Sequence, residues 1–398
     1  MKRLLPLVVV TATLITVAPR AAHAIPAWAR RYNMDCSGCH TPVVPRLNGF
    51  GIAFKWAGYR TPDDIGTKLD VNKIEQYLAA KIEAAYDYVT SSGVGRSQDG
   101  FSVPSASLFA AGPFGKQYAG YLEFEREPGG TTDLIAQITG VWGGESRWSG
   151  FRVGTGHALM TSGGVAGFDR PTGISTPLAY DVPNTDAIPM RLAGDFVGVE
   201  GFMVTHGKNR TGVQLVNSVV VAAGDAGAAV TNRDVAVTNQ YMYDDAGSGV
   251  GLAAYFGSAL GLVRSDSLAG TRYVRLGATA NKIFNRGELS GGYVYARDRA
   301  VPDTLTGTVL SSPVGTSYWL QAQMTTPTHP LTLFGRYEWR TADRARADAE
   351  QGRYVLGATS QLTLPEYLKW SLELTRDTYR DVRQPRRDAI ALRLQAAF

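Results

Sequence analysis

Cys36-Ser37-Gly38-Cys39-His40 is the stretch of this chain whose residue types and spacing specify chemistry most sharply. Two thiols followed at once by an imidazole fit the C-x-x-C-H pattern, in which the thiols add to the vinyl groups of a haem and the histidine reaches the iron from one face. The spacing matters because the two thioethers fix the porphyrin edge and leave His40 directly beneath the metal. The expected cofactor is therefore one covalent haem c, attached through Cys36 and Cys39, with His40 as axial iron ligand and no catalytic residue beyond the haem. A thioredoxin-type dithiol would need a βαβ setting, and a zinc site would need two further Cys or His ligands nearby. The sequence offers neither.

Trp28, Tyr32, Phe50, Phe54, Trp56 and Tyr59 surround the motif, enough aromatic area to wall a porphyrin from water and raise its reduction potential. Arg30, Arg31, Arg46 and Lys55 are expected to pair with the propionates. A segment of about forty residues cannot build a core without its cofactor. The sixth iron ligand stays open among His157, His206 and His329, the methionines Met160, Met190, Met203, Met242 and Met324, or none. Met34 is too close to the attachment site to swing across the ring and is expected to pack.

The elements that position this motif begin with an export signal. Lys2 and Arg3 precede an apolar stretch from Leu4 to Val17, and Ala22-His23-Ala24 supplies the small-residue pattern that a signal peptidase cuts. Residues 1–24 are thus expected to be removed, with the mature chain beginning near Ile25. The chain has 398 residues but two cysteines, so no disulfide framework holds it. Its net charge of +5 is spread over many positions, with one cluster at Arg380, Arg383, Arg386 and Arg387 suited to lipid headgroups. No nucleic-acid surface is expected.

From residue 74 the period changes. Leu78, Ala80, Ile82, Ala84, Tyr86 and Tyr88 alternate with Ala79, Lys81, Glu83, Ala85 and Asp87, one apolar and one polar face on a strand of membrane length. Leu368, Trp370, Leu372 and Leu374 oppose Lys369, Ser371, Glu373 and Thr375 in the same way, and Ile390, Leu392, Leu394, Ala396 and Phe398 share a face at the end. Short links at Pro365-Glu366, Asn285-Arg286-Gly287, Asp245 to Gly249 and Gly112 to Lys116 alternate with long ones near 90–102, 159–191, 223–234, 259–271, 297–316, 341–352 and 377–387. This is the rhythm of an all-β transmembrane barrel, with about sixteen antiparallel strands, short periplasmic turns and long outer loops. A terminal Phe398 resembles the C-terminal aromatic by which bacterial outer-membrane proteins are recognised for assembly. The segment 160–190 is too long for an idle loop and is expected to form a lumen constriction or an exposed lid. Its Asp169, Asp181 and Asp186 read as solvated loop charges.

The run Pro26-Ala27-Trp28-Ala29-Arg30, the haem motif, then Pro45, Leu47, Phe50-Gly51, Phe54-Lys55 and Gly58-Tyr59 resembles the fused monohaem cytochrome–porins of the outer membrane of iron-oxidising bacteria. The likeness in residues covers about the first thirty-five of the mature chain; beyond them it is one of architecture. The resemblance implies a small helical c-type cytochrome segment over 25–73, in the lumen or at the periplasmic mouth of a barrel over 74–398. It implies an Fe(II)-oxidising electron-transfer oxidoreductase, with extracellular Fe(II) as donor, a periplasmic cytochrome as acceptor and outer-membrane lipid around it. A transport barrel with a haem plug or sensor, or exchange with a partner other than iron, is the alternative. Monomer and trimer both remain open.

Overall fold

The computed structural model describes residues 27–41, 46–69, 73–92, 94–126, 132–157, 172–185, 190–192, 195–217, 233–259, 271–299, 312–327, 331–363, 367–381 and 384–397. The signal residues 1–24, Pro45, His329, Met160, Asp169, Asp186, the Pro365-Glu366 link, Arg383 and Phe398 lie outside them.

Among the described residues sixteen strands form a closed antiparallel barrel. In chain order they are β1 Leu78–Ser91, β2 Val94–Phe114, β3 Tyr118–Arg126, β4 Thr132–Gly144, β5 Arg147–His157, β6 Asp195–Thr205, β7 Asn209–Asn217 and β8 Arg233–Met242. They continue as β9 Gly249–Ala259, β10 Thr271–Ile283, β11 Gly287–Arg299, β12 Val314–Thr325, β13 Leu331–Thr341, β14 Glu350–Thr363, β15 Tyr367–Tyr379 and β16 Arg387–Ala397. Each strand pairs with its sequence neighbours, and β1 closes on β16 with Lys81 opposite Ala397 and Ser91 opposite Arg387. Closure leaves no open sheet edge, which a strand in hydrocarbon requires.

The alternation read from the sequence sorts residues in the sense opposite to a soluble fold. Leu356 and Leu320 are 63% and 62% exposed, while Glu338 is 0% and Arg275 is 1% exposed. Leucines outside and ion pairs inside suit a barrel whose outer face meets lipid. Two aromatic rows mark its rims. Phe114, Tyr118, Trp142 and Phe151 contact one another near the short turns. Tyr318, Tyr337, Trp339 and Tyr354 do so near the long links. Such girdles sit where the apolar band gives way to water.

One expected long link is corrected. Residues 90–102 are not a loop, because β1 runs to Ser91 and β2 begins at Val94. Ser97, Gln98, Asp99 and Gly100 put polar residues on both faces, so the strand carries no alternation to read, yet Tyr88 still pairs with Asp99 and Tyr86 with Phe101. The hairpin projects past the apolar band.

Two bodies fill the lumen. The first is the segment before β1, comprising the helices α1 Ala27–Tyr32, α2 Cys36–Cys39 and α3 Gly49–Trp56. Ile52, Trp56, Ala57 and Ile65 pack on Val141, Trp148, Phe202, Val204 and Met242 of the inner wall. Phe54, Tyr59, Trp28, Tyr32 and Phe50 pack on Ala119 and Tyr121. The segment thus borrows the barrel wall as the other half of its core, which corrects the expectation that only a cofactor could supply one. The second body is the described part of the β5–β6 link, which contains α4 Leu178–Asp181. Leu178, Tyr180, Met190 and Leu192 are buried, Tyr180 and Trp319 meet edge to face, and Trp319 Nε1 donates to the Tyr180 hydroxyl at 2.9 Å. Glu373 accepts from the Ile174 and Ser175 N–H groups, Glu338 accepts from the Leu178 N–H, and Arg336 donates to the Ser175 carbonyl. Of the two expected forms, the constriction is the one present over 172–185. Asp181 is exposed, in keeping with a solvated charge.

Candidate functional site

The first body is a plug, seated at the short-turn mouth. Trp28 Nε1 donates to the Ala111 carbonyl at 3.1 Å, Arg60 Nη2 donates to the Tyr118 carbonyl at 2.7 Å, and Leu69 bridges to Gly115 in the β2–β3 turn. A Cβ on Gly49 would stand 2.5 Å from the Asp245 carbonyl oxygen in the β8–β9 turn, so glycine is what lets α3 begin against that turn. Arg46 forms a buried ion pair with Glu288 on β11.

This placement corrects the reading of the basic residues. Arg30 donates to the carbonyls of Glu75 and Leu78, Arg31 to the Tyr77 hydroxyl, and Arg46 to Glu288. Three of the four cations expected to meet propionates are thus tied to the barrel and its approach.

Inside the plug, α2 is a single turn that puts Cys36 and Cys39 three positions apart, on one face. Its carbonyl end would leave acceptors without donors. Asn48 closes that end: its Nδ2 donates to the Ser37 and Gly38 carbonyls, both at 3.1 Å, and its backbone N–H to the Cys39 carbonyl at 3.0 Å. The same side chain caps α3, its Oδ1 accepting from the Gly51 N–H at 2.9 Å. One asparagine therefore locks the two helices together. Gly51 permits the contact, since a Cβ there would lie 2.1 Å from the Cys39 carbonyl oxygen. Met34 packs against Gly38, as expected, 3.5 Å from where a Cβ of Gly38 would stand.

His40 follows at once, half-buried, its backbone bridged to Leu47. Its Nδ1 lies 3.3 Å from the Arg46 carbonyl oxygen. A carbonyl accepts, so this contact calls for the tautomer with the proton on Nδ1 and leaves the Nε2 lone pair for a metal. Cys39 is half-buried, and the neighbouring Asp35 and Ser37 are exposed.

The barrel sorts the remaining iron-ligand candidates by height. His157 ends β5 at the long-link rim, and a strand of this length holds it about 30 Å from the short-turn mouth. Met190 belongs to the second body, and Met203 and Met324 face outward. His206 stands exposed in the β6–β7 turn, and Met242 packs against the plug beside Ile52 and Trp56. These two are the described candidates at the height of the plug.

The β8–β9 turn that receives Gly49 is held by Asp244. Burial alone would push its carboxyl up, but hydrogen bonds from Lys282 Nζ at 2.9 Å and from Ser248 outweigh this and hold it below the usual carboxylate range. A depressed carboxyl contributes stability that is present above the unfolded-state value of about 4 and is lost as pH falls through the folded-state value. Acidification below about pH 4 is therefore expected to loosen this turn and raise protease cleavage within 46–69, with Asp244→Asn showing the same cleavage at neutral pH. Cleavage that is unchanged by both would remove the turn from the docking of the plug.

The sequence had pointed to Cys36, Cys39 and His40 but not to Asn48 and Gly51. Their signal was an asparagine three positions before a glycine at the head of an apolar helical run.

No protein-family model and no curated protein matches the chain. Solved structures do resemble it in fold. The anion-selective porin from Comamonas acidovorans is 13% identical, with 81% of this chain and 98% of that chain covered and a TM-score of 0.54. The outer membrane channel DcaP of Acinetobacter baumannii is 10% identical, with 81% and 96% covered and a TM-score of 0.55. OmpT of Vibrio cholerae, in its trimer form, is 12% identical, with 80% and 98% covered and a TM-score of 0.52. The chain thus has a porin-like sixteen-strand barrel fold.

Proposed function

We propose that the protein sits in the outer membrane and moves single electrons, taking them from a donor outside, Fe(II) first, and delivering them to a periplasmic carrier such as a cytochrome. In this reading a haem c is held by Cys36, Cys39 and His40. The observation that supports it best is that the C-x-x-C-H turn rides on a plug at the short-turn mouth of a barrel crossed by a second inward-folded segment. In barrels of this class the short turns face the periplasm, so the motif stands where a soluble carrier can reach it, while the long-link mouth serves a donor outside.

The residues present fit the group. Cys36 and Cys39 share one face of a turn that Asn48 closes and Gly51 braces. The Arg46 carbonyl fixes the His40 ring with Nε2 available. Trp28, Phe54 and Tyr59 keep water from the plug's core, Trp28 and Tyr59 stacking at 4.9 Å. A haem bound there supplies storage for one electron at a time.

The test is the reduced-minus-oxidised spectrum of the haem-loaded protein with ferrous iron as the sole donor. A reduced haem spectrum is expected. If a strong chemical reductant produces that spectrum and ferrous iron does not, iron is not the donor.

A second reading is a porin-type transport barrel whose plug is structural or sensory. The porin and channel folds named above favour it. Against it stand the two bodies in the lumen. Solute flux into liposomes at the rate of an open porin would decide for transport; a rate far below that is expected. The trimer form of OmpT makes a trimer the first oligomeric state to look for, with the monomer as the alternative.

A further inference from the structure

Midway down the wall, above the plug, the lumen face carries charges that do not balance. Arg152 on β5, Glu200 on β6 and Arg210 on β7 are 4%, 4% and 0% exposed. Arg210 Nη1 lies 2.9 Å from Glu200 Oε1, and Arg152 Nη1 lies 3.7 Å from Glu200 Oε2. The charged groups facing Arg210 are these same two, so two guanidiniums meet one carboxylate. One positive charge is left over in a place without water, where an unmatched charge is costly.

The surrounding donors are also unmatched. Arg210 Nε and Nη2, Gln240 Nε2 and Thr238 Oγ1 are buried with no hydrogen-bond partner in the protein. They converge by register. Arg210 stands opposite Gln240, and Gly212 stands opposite Thr238. Gly212 makes the room, because a Cβ there would come within 2.6 Å of Glu200 Oε1 and 3.1 Å of both Arg210 Nη1 and Thr238 Oγ1. The Arg210 guanidinium lies over the Phe202 ring at 4.4 Å, and Phe202 packs beneath the plug. A net positive charge, a planar guanidinium fork, an amide N–H and a hydroxyl at one closed spot form a receptor for an anion.

We propose that Arg210, Gln240 and Thr238 bind one small monovalent anion in the barrel wall beneath the plug. Two sources share this chemistry: a halide from solution and a carboxylate of the haem. The site itself depends on neither haem attachment nor iron as donor, so its test is independent of theirs.

Thermal unfolding is followed at constant ionic strength while chloride replaces gluconate, which is too large for a closed site. Wild type, Arg210→Gln and Thr238→Val are compared, each made with and without c-type haem maturation. Haem-free wild type is expected to gain roughly 2–4 °C in its midpoint, since a ligand bound only by the folded state stabilises it. Arg210→Gln should show no gain, and Thr238→Val a smaller one. If haem-loaded wild type loses the chloride response, the occupant is a haem carboxylate; if it keeps the response, the occupant is the dissolved ion. Equal responses in all three proteins, or none in haem-free wild type, overturn the proposal. Bromide-soaked crystals with an anomalous peak at Arg210 would support it directly, and a peak elsewhere alone would count against it.

Discussion

Replacing Cys36 and Cys39 together with alanine is expected to take covalent haem from about one per chain to none, read as loss of the haem-stained band on a denaturing gel. The barrel should survive. Neither thiol belongs to the surfaces by which the plug docks, which are those of Ile52, Trp56, Phe54 and Tyr59. Heat-modifiable migration of the folded barrel should therefore be unchanged. His40→Met separates attachment from ligation: the stained band should persist, while the absorption spectrum and reduction potential change with the axial ligand. Gly51→Val adds a third case, because it touches neither thiol nor imidazole. Its Cβ would overlap the Cys39 carbonyl, 2.1 Å away, so α3 must move off α2. Attachment is expected to fall without vanishing. Full staining in the double cysteine variant would end the haem assignment.

The contrast between these variants also shows what the sequence could reveal. Cys36, Cys39 and His40 are legible because spacing along the chain is itself the chemistry. The strands are legible for a similar reason, since a lipid-facing side chain every second residue is a local pattern, and Lys369, Ser371 and Glu373 face inward as that pattern requires. Legibility stops where a residue's partner is distant. Arg30, Arg31 and Arg46 looked like propionate partners because their charge is visible and their neighbours are not; Glu288 lies 242 positions from Arg46. The hairpin over 90–102 was hidden for the opposite reason. Beyond the apolar band neither face of a strand needs to be hydrophobic, so Ser97 to Gly100 carry no signature while their backbones still pair.

The ion pair between Arg46 and Glu288 carries the other large expected effect, because it ties the chain just after the haem motif to the far wall of the lumen. Both side chains are nearly sealed from water, at 9% and 3% exposure. Removing one member of such a pair leaves a buried charge without its counterion, at a cost of 3–5 kcal/mol in typical cases, or about that range here. Asn281 Nδ2 at 3.1 Å and Gln323 Nε2 at 3.0 Å still donate to Glu288, which argues for the lower end. Arg46→Met is therefore expected to weaken docking by about 3 kcal/mol, or roughly a hundredfold in the population of undocked plug. Amide hydrogen exchange across 49–57 reads this directly: it should quicken about a hundredfold while exchange in β10 and β11 stays as in wild type. The double variant Arg46→Met with Glu288→Met removes the stranded charge as well, and exchange should return most of the way. The single and double variants must then differ, because the cost lies in the unpaired carboxylate rather than in the lost arginine. Equal exchange in the two would mean that Arg46 holds the plug by packing alone, and unchanged exchange in both would mean that Phe54, Trp56 and Tyr59 hold it without help.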